Sequence, residues 1–464
     1  MLSAAQGISL VLAVLGGLII GLQQYQRRYS PHPEIVRKLL HVPMGLITLS
    51  FPWLFDRPLP VVLLAAIAIL TLLALRFYPP LRQRYGSVLG GVERRSLGEV
   101  YFPAAVAVLF CLSHQTPLLF CIPILMLTLA DAVAALIGVR YGRLRYQTLE
   151  GQKSAEGSIT FFTLAFFSVH VPLLLLSEVG RAETLLIALI LGLLVMLLEA
   201  IAWRGLDNLF IPLGGYLLLR THLEMDVVAL LTRLGITIVL VVLTLTWRKR
   251  TTLNDSAVLG ATLVGYLSWS IGGWRWLLPP LIVFLCYPLL MRRIDPELPA
   301  IDRQKMPWLP PAETYGWVRV HNIYAVLSVA AAGLLWLFLF GITERSMLLY
   351  PYTIAFSASL AMIGVAGLPL TNYWQAAQMG RMLLYIGKGW LLLFVPLLAI
   401  AGVSTASLGS AGVGLFGTAL AAIAYYLMQP QLRQRPTDAL NWLCRAILAA
   451  IASCLGLLSL VLPT

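Results

Sequence analysis

Residues 117–142 read P-L-L-F-C-I-P-I-L-M-L-T-L-A-D-A-V-A-A-L-I-G-V-R-Y-G, and residues 151–158 read G-Q-K-S-A-E-G-S. The first segment is an apolar run long enough to cross a bilayer. One acid, Asp131, interrupts it. An ionisable group at membrane depth is costly and is generally kept for function. The second segment sets Lys153 between Gly151 and Gly157, with Ser154 beside it and Glu156 three residues on. Another apolar run follows. Acids within a few tens of residues of a lysine framed by Gly and Ser suit a metal and a phosphate.

The rest of the chain is built the same way. Its 464 residues are 59% hydrophobic and 11% charged, where a soluble domain would carry about 25% charged. Apolar runs fall at about 7–23, 39–55, 58–76, 101–113, 117–138, 158–176, 184–203, 208–220 and 226–246. A second set falls at about 256–272, 275–291, 323–341, 346–370, 386–404, 410–428 and 440–462. This predicts an all-α polytopic membrane protein with roughly sixteen spans. The runs near 101–113 and 208–220 are short for a crossing, as broken or tilted helices would be. The first run lacks a basic leader and a small-residue cleavage site, so it reads as a retained span.

Trp247-Arg-Lys-Arg250 and the polar T-T-L-N-D-S after it mark a boundary. The chain is therefore expected to form two membrane halves, 1–250 and 251–464. The Pro-rich segment from Arg292 to Asn322 reads as a connector. With the loop at 24–38 in the cytoplasm, roughly 26 Lys and Arg fall in inside loops and about five outside. The outside ones are Arg57, Arg181, Arg220, Arg275 and Arg345. That asymmetry obeys the positive-inside rule.

The net charge of +13 is spread over these short loops. It therefore points to the lipid bilayer and not to nucleic acid. Five cysteines, an odd number without C-x-x-C, indicate neither a disulfide framework nor zinc. His114, His170 and His222 lie near the outer face without carboxylate clusters and read as interfacial or packing histidines.

Four constellations can carry chemistry, and each also has a plainer reading. In E-I-V-R-K-L-L-H at 34–41, Glu34, Arg37, Lys38 and His41 share one helix face. Such a face can grip an anionic phosphate while Glu or His does acid–base work; equally, it can be a basic cluster that sets topology. In E-R-R-S-L-G-E-V-Y-F-P at 93–103, Arg95 and Glu99 can bind a ligand or simply pair with each other.

The third constellation holds Asp131, Lys153, Ser154, Glu156 and Gly157. Ala135, Gly138 and Gly142 share a face there that lets another helix backbone approach, and Glu156 can cap the helix that follows. Lys153 can act as a point charge on a phosphate, although the order is not that of a Walker A loop. In the fourth, E-A-I-A-W-R-G-L-D-N at 199–208, Glu199, Asp207 and Asn208 offer hard oxygen ligands that suit Mg²⁺. The plainer reading pairs Glu199 with Arg204 and makes Asp207 a helix cap.

All four lie at the cytoplasmic ends of helices in the topology derived from charge. An enzyme with a soluble phosphate donor and a lipid-dissolved acceptor needs that arrangement. Nucleotidyl transfer that makes a CDP-lipid is an alternative. A transporter or scramblase whose membrane acids carry protons or ions is a second.

These residues resemble a known family. E-I-V-R-K-L-L-H at 34–41, R-R-S-L-G-E-V-Y-F-P at 94–103, A-D-A-V-A-A-L-I-G-V-R-Y-G at 130–142, G-Q-K-S-A-E-G-S at 151–158 and E-x-x-x-x-R-G-L-D-N-L-F-I-P at 199–212 are similar to motifs of the polyprenol kinases, which include phytol and dolichol kinases. K-S-A-E-G is also distantly similar to a segment of the phosphatidate cytidylyltransferases. The resemblance implies CTP as donor, Mg²⁺, and a prenyl alcohol such as phytol as acceptor. It implies that Lys153 binds donor phosphates, helped by Arg37, Lys38 and Arg95 with Ser154 and Gly157. Asp131, Glu199 and Asp207 then hold Mg²⁺, or one of them takes the alcohol proton. The start of the second half weakly resembles the membrane family of phytyl-phosphate kinase. That family's acidic D-T-x-x-S-E type motif is replaced here by Thr353-Ile-Ala-Phe-Ser-Ala-Ser, so no sites are assigned there.

Overall fold

The computed structural model describes residues 3–29, 33–77, 98–148, 151–202, 205–247, 251, 253–290, 321–368, 376–402, 404–433 and 438–460. Helices cover every apolar run read from the sequence. The first unit holds α1 (Ala4–Tyr29), α2 (Pro33–Leu49), α3 (Pro58–Phe77), α4 (Gly98–Ser113), α5 (Pro117–Leu125), α6 (Asp131–Tyr141), α7 (Ala155–Leu176), α8 (Arg181–Ile201), α9 (Asp207–Leu223) and the start of α10 (Val227–Trp247). The second holds α11 (Asp255–Gly272), α12 (Trp274–Leu290), α13 (Ile323–Thr343), α14 (Leu349–Ala366), α15 (Ala376–Ala401), α16 (Thr405–Arg433) and α17 (Asp438–Cys454).

Among the described residues, nine helical stretches are long and apolar enough to cross a membrane. The protein is an all-α polytopic membrane protein. Its chain divides by contacts into residues 1–237 and 238–464. The division falls inside α10. Residues 248–250 lie outside the described residues, and the polar link after them leads into α11 through the Asn254 cap.

In the first unit α8 packs between α7 and α9 and supplies much of the core, with Ile187, Leu191 and Leu194 fully buried. Phe110, Phe120 and Phe161 fill the space beside it. α7 also packs along α6, and here the small residues matter. A Cβ on Gly157 would lie 3.4 Å from the Gly138 Cα and 3.2 Å from the Ala134 carbonyl. One on Gly142 would lie 2.6 Å from the Ser154 Cβ. The glycines thus let two helix backbones touch, as the shared face predicted.

Two features depart from a plain reading of the apolar pattern. The link between α6 and α7 forms an antiparallel pair, β1 (Arg145–Thr148) and β2 (Gly151–Ser154), with Tyr146 opposite Lys153. Between α5 and α6, residues Met126–Ala130 form a π-helical turn. Such widened turns are uncommon and concentrate at functional sites.

In the second unit α14 is the central helix and is almost entirely buried. Its polar groups are satisfied inside the protein. Thr353 Oγ1 donates to the Leu349 carbonyl at 2.8 Å, and Ser357 and Thr418 share a hydrogen bond of 2.8 Å. Tyr352 reaches Ser268 Oγ at 2.9 Å and the Trp276 carbonyl at 2.7 Å. The starts of α11 and α13 are tied by a parallel bridge between Leu253 and His321, and each helix is capped by an asparagine, Asn254 or Asn322.

Gly138→Leu should force α6 and α7 apart and cost about 1–3 kcal/mol, read as a lower melting temperature in detergent. Gly409→Ala, where an added methyl meets nothing within 4 Å, should leave it unchanged or slightly raised.

Candidate functional site

The π turn sets the position of Asp131, the first residue of α6. A π turn shifts the hydrogen-bond register, so a backbone carbonyl is available to a side chain. His41 Nε2 takes the Leu127 carbonyl at 3.2 Å. A carbonyl only accepts, so that nitrogen carries the proton. α2 comes this close because Gly45 lies against Thr128, where a Cβ would overlap the threonine side chain.

Lys38 on α2 then reaches Asp131 directly. Its Nζ lies 2.7 Å from Asp131 Oδ2 and 3.3 Å from the Asp131 carbonyl. The two side chains are 3% and 11% exposed, so this is a buried ion pair. His41 Nε2 is 3.6 Å from the same carboxylate oxygen, and its ring packs edge-on against Phe102 of α4. Asp131 is thus held between a lysine and a histidine from one helix face, as the spacing of 38 and 41 allows.

A second pair forms between β2 and the end of α8. Lys153 Nζ lies 2.6 Å from Glu199 Oε1 and also donates to the Glu199 carbonyl. A cation at the C-terminal end of a helix meets both the carbonyls left without partners and the negative end of the dipole. Burial opposes the Lys153 charge, but the facing Glu199 carboxylate outweighs it, with smaller help from Tyr146 and Asp207. The ammonium therefore titrates above its ordinary value of 10.5.

The hairpin is anchored at its outer corners. Ser154 Oγ accepts from the Gly157 amide at 3.1 Å, which makes Ser154 the N-cap of α7. The Glu156 carboxylate accepts from the Leu144 amide at 3.2 and 3.3 Å and so fastens the end of α6 to the start of α7. Tyr146 Oη and Ser158 Oγ share a bond of 2.7 Å.

Asp207 opens α9 after a turn through Gly205, whose φ of 82° is the left-handed conformation that glycine adopts freely. Leu206, not Asp207, is the N-cap residue of that helix, and Asp207 is in its first turn. Its charge reaches both Lys153 and Glu199, and Glu199 also feels Asp131. Lys153 and Glu199 thus lie within electrostatic reach of Asp207, and Glu199 within reach of Asp131, which Lys38 and His41 hold. Asn208 follows Asp207 in the same first turn.

Glu99 is exposed in the first turn of α4. Arg95 and Arg204 lie outside the described residues, as do the side chains of Glu34 and Arg37 on α2. Tyr146 and Ser158 join the site without having been singled out in the sequence. Only the pairing of β1 with β2 brings them there.

Among the described residues, no group of three His, Cys, Asp or Glu stands close enough to hold a metal. Asp131 and Glu199 are engaged by lysines. Their oxygens are of the hard type that Mg²⁺ takes, and Mg²⁺ needs only one or two carboxylates when phosphates and water complete its shell.

The chain is 29% identical to a phytol kinase of Synechocystis sp. over 213 residues. That similarity covers 46% of this chain and 89% of that protein. No protein-family model matches the chain, and no solved structure matches it.

Two outcomes follow from the ion pairs. Asp131→Ala strands a buried lysine and should cost about 3–5 kcal/mol in unfolding, whereas Lys38→Met with Asp131→Leu should recover most of it. Lys153 stabilises the fold fully below its unfolded pKa and stops doing so as pH rises through its higher folded value. Melting temperature should therefore hold from neutral pH to about pH 10 in the parent. In Glu199→Gln burial of Lys153 is opposed only by the smaller pull of Tyr146 and Asp207, so the alkaline loss should begin at lower pH.

Proposed function

We propose that the first unit is a kinase that phosphorylates a prenyl alcohol dissolved in the membrane, phytol or a similar chain, with CTP as donor. The observation that carries this reading is the Lys153–Glu199 pair at the end of α8, within electrostatic reach of Asp207 and of the Asp131 that Lys38 holds. These residues come from motifs widely separated in the sequence. The similarity to a phytol kinase supports the same reaction class. The excess of Lys and Arg on one set of loops supports an active site on the cytoplasmic face, where a soluble nucleotide meets a lipid hydroxyl.

In this reading Lys153 receives the donor phosphates, which take the place of Glu199 as its partner. Arg37 and Arg95 would add charge, as the resemblance to polyprenol kinases implies. Ser154 and Gly157 hold the lysine's segment at the start of α7. The Glu199 carboxylate, once released, stands with Asp207 as the pair that would hold Mg²⁺. Bound Mg²⁺ would supply neutralisation of the phosphate charge.

Lys38 and His41 keep Asp131 oriented toward the acceptor. The alcohol oxygen bonds to the γ-phosphorus, the bond from that phosphorus to the β–γ bridging oxygen breaks, and CDP leaves. The alcohol proton passes to a site carboxylate, for which Asp131 is best placed. The hydrocarbon chain lies between helices with its hydroxyl at the interface.

Purified protein with Mg²⁺ and γ-labelled CTP should transfer label to phytol, geranylgeraniol or farnesol as the monophosphate. Lys153→Ala and Asp131→Asn should insert normally and lose turnover by about a hundredfold or more. Release of pyrophosphate with formation of a CDP-lipid would move the protein to nucleotidyl transfer. Solute flux that depends on Glu199, without CTP binding, would make it a transporter.

A further inference from the structure

Tyr146 and Ser158 have no part in the kinase reading, yet they stand beside its central cation. In the hairpin Tyr146 lies directly opposite Lys153. Side chains of an opposed pair leave the same face of the sheet, with Cβ atoms about 5 Å apart. The same face carries Thr148 and Gly151, and Gly151 has no side chain. Tyr146 and Lys153 are therefore its two large groups. Arg145 and Gln152 lie on the other face, where they meet at 3.5 Å.

A pair of four-residue strands has little stability of its own. Its direction is set by what ties it down. Two ties hold the root. The Ala155 amide donates to the Leu144 carbonyl at 2.8 Å, and Glu156 accepts from the Leu144 amide. These fix where the hairpin leaves α6 and enters α7, but they leave the turn of the strands about that root open. The 2.7 Å bond between Tyr146 Oη and Ser158 Oγ fixes it. Ser158 lies one turn into α7, four residues after the Ser154 cap. The bond thus runs from the lysine's face of the hairpin to a long helix. Tyr146 is also within electrostatic reach of Lys153, where it favours the ammonium.

A lysine side chain is long and flexible, so its ammonium keeps one place only if the segment that carries it is held. In this structure Glu199 holds Nζ. Once phosphate takes the place of Glu199, the orientation of the hairpin decides where Nζ points. We propose that Tyr146 is a positioning residue that, through Ser158, aims Lys153 at the donor phosphates and acts on substrate only by way of that lysine. This role rests on the kinase reading for its ligand and on the hairpin geometry for its mechanism.

The test uses the full chain in lipid nanodiscs, as parent, Tyr146→Phe, Ser158→Ala, the double variant and Ser158→Thr. The first readout is the rate at which an acetylating reagent modifies Lys153 without nucleotide, mapped by mass spectrometry. Tyr146→Phe and Ser158→Ala should each raise that rate about fivefold. The double variant should raise it no further, because both changes remove one bond. Ser158→Thr keeps the hydroxyl and should match the parent. The second readout is steady-state transfer from CTP to phytol. The three variants that lose the bond should raise KM for CTP about fivefold, with kcat and KM for phytol within about twofold of the parent. Unchanged Lys153 reactivity, single effects that add in the double variant, or a loss shared equally by kcat and both KM values would overturn the proposal and leave the kinase reading intact. A parent that transfers no phosphate to any alcohol would overturn the kinase reading and the phosphate as ligand. Raised Lys153 reactivity in both single variants would still establish that Tyr146 aims the lysine.

Discussion

Carboxylates placed in membrane-spanning helices must be neutralised, and in the first unit two lysines do this. Lys38 neutralises Asp131 and Lys153 neutralises Glu199. Each pair joins elements far apart in sequence, so the arrangement of α2, α6, the hairpin and α8 is coupled to the charges. A buried pair adds little net stability over apolar residues of similar size, but losing one partner strands the other. That asymmetry makes the pairs hard to alter singly. It also makes them responsive to a phosphate that competes for the lysine.

Backbone irregularities deliver the charges to one place. The π turn at Met126–Ala130 sets Asp131 and presents the Leu127 carbonyl to His41. The close approach at Gly138, Gly142 and Gly157 lets α7 start against the end of α6. The hairpin between them carries Lys153 across to α8. None of these is a strong local preference of the sequence. Each is stabilised by the contacts it makes possible.

The second unit handles its polar groups differently. The serine and threonine hydroxyls of α14 bond to helix carbonyls or to each other, and Tyr352 finds two partners. Arg445 is accommodated by aromatic faces and the Tyr425 hydroxyl. Among the described residues, these arrangements bury polarity without a lysine–carboxylate pair.

The sequence by itself determined the class of the fold, because long apolar runs have no stable form in lipid other than helices that satisfy their own backbone. It also pointed to Asp131, Lys153, Glu199 and Asp207, because charge inside or beside such runs stands out. The shared face of Lys38 and His41 followed from helical periodicity alone. Tertiary structure decided the partners. Lys38 reads as a surface cation until α2 is packed against the π turn, and only the hairpin brings Lys153 to Glu199. Glu156 reads as a helix cap, and the turn of the chain at Gly142 brings it the Leu144 amide as well. Pairing between distant elements depends on helix packing and on one irregular turn, and neither leaves a periodic trace in the residues.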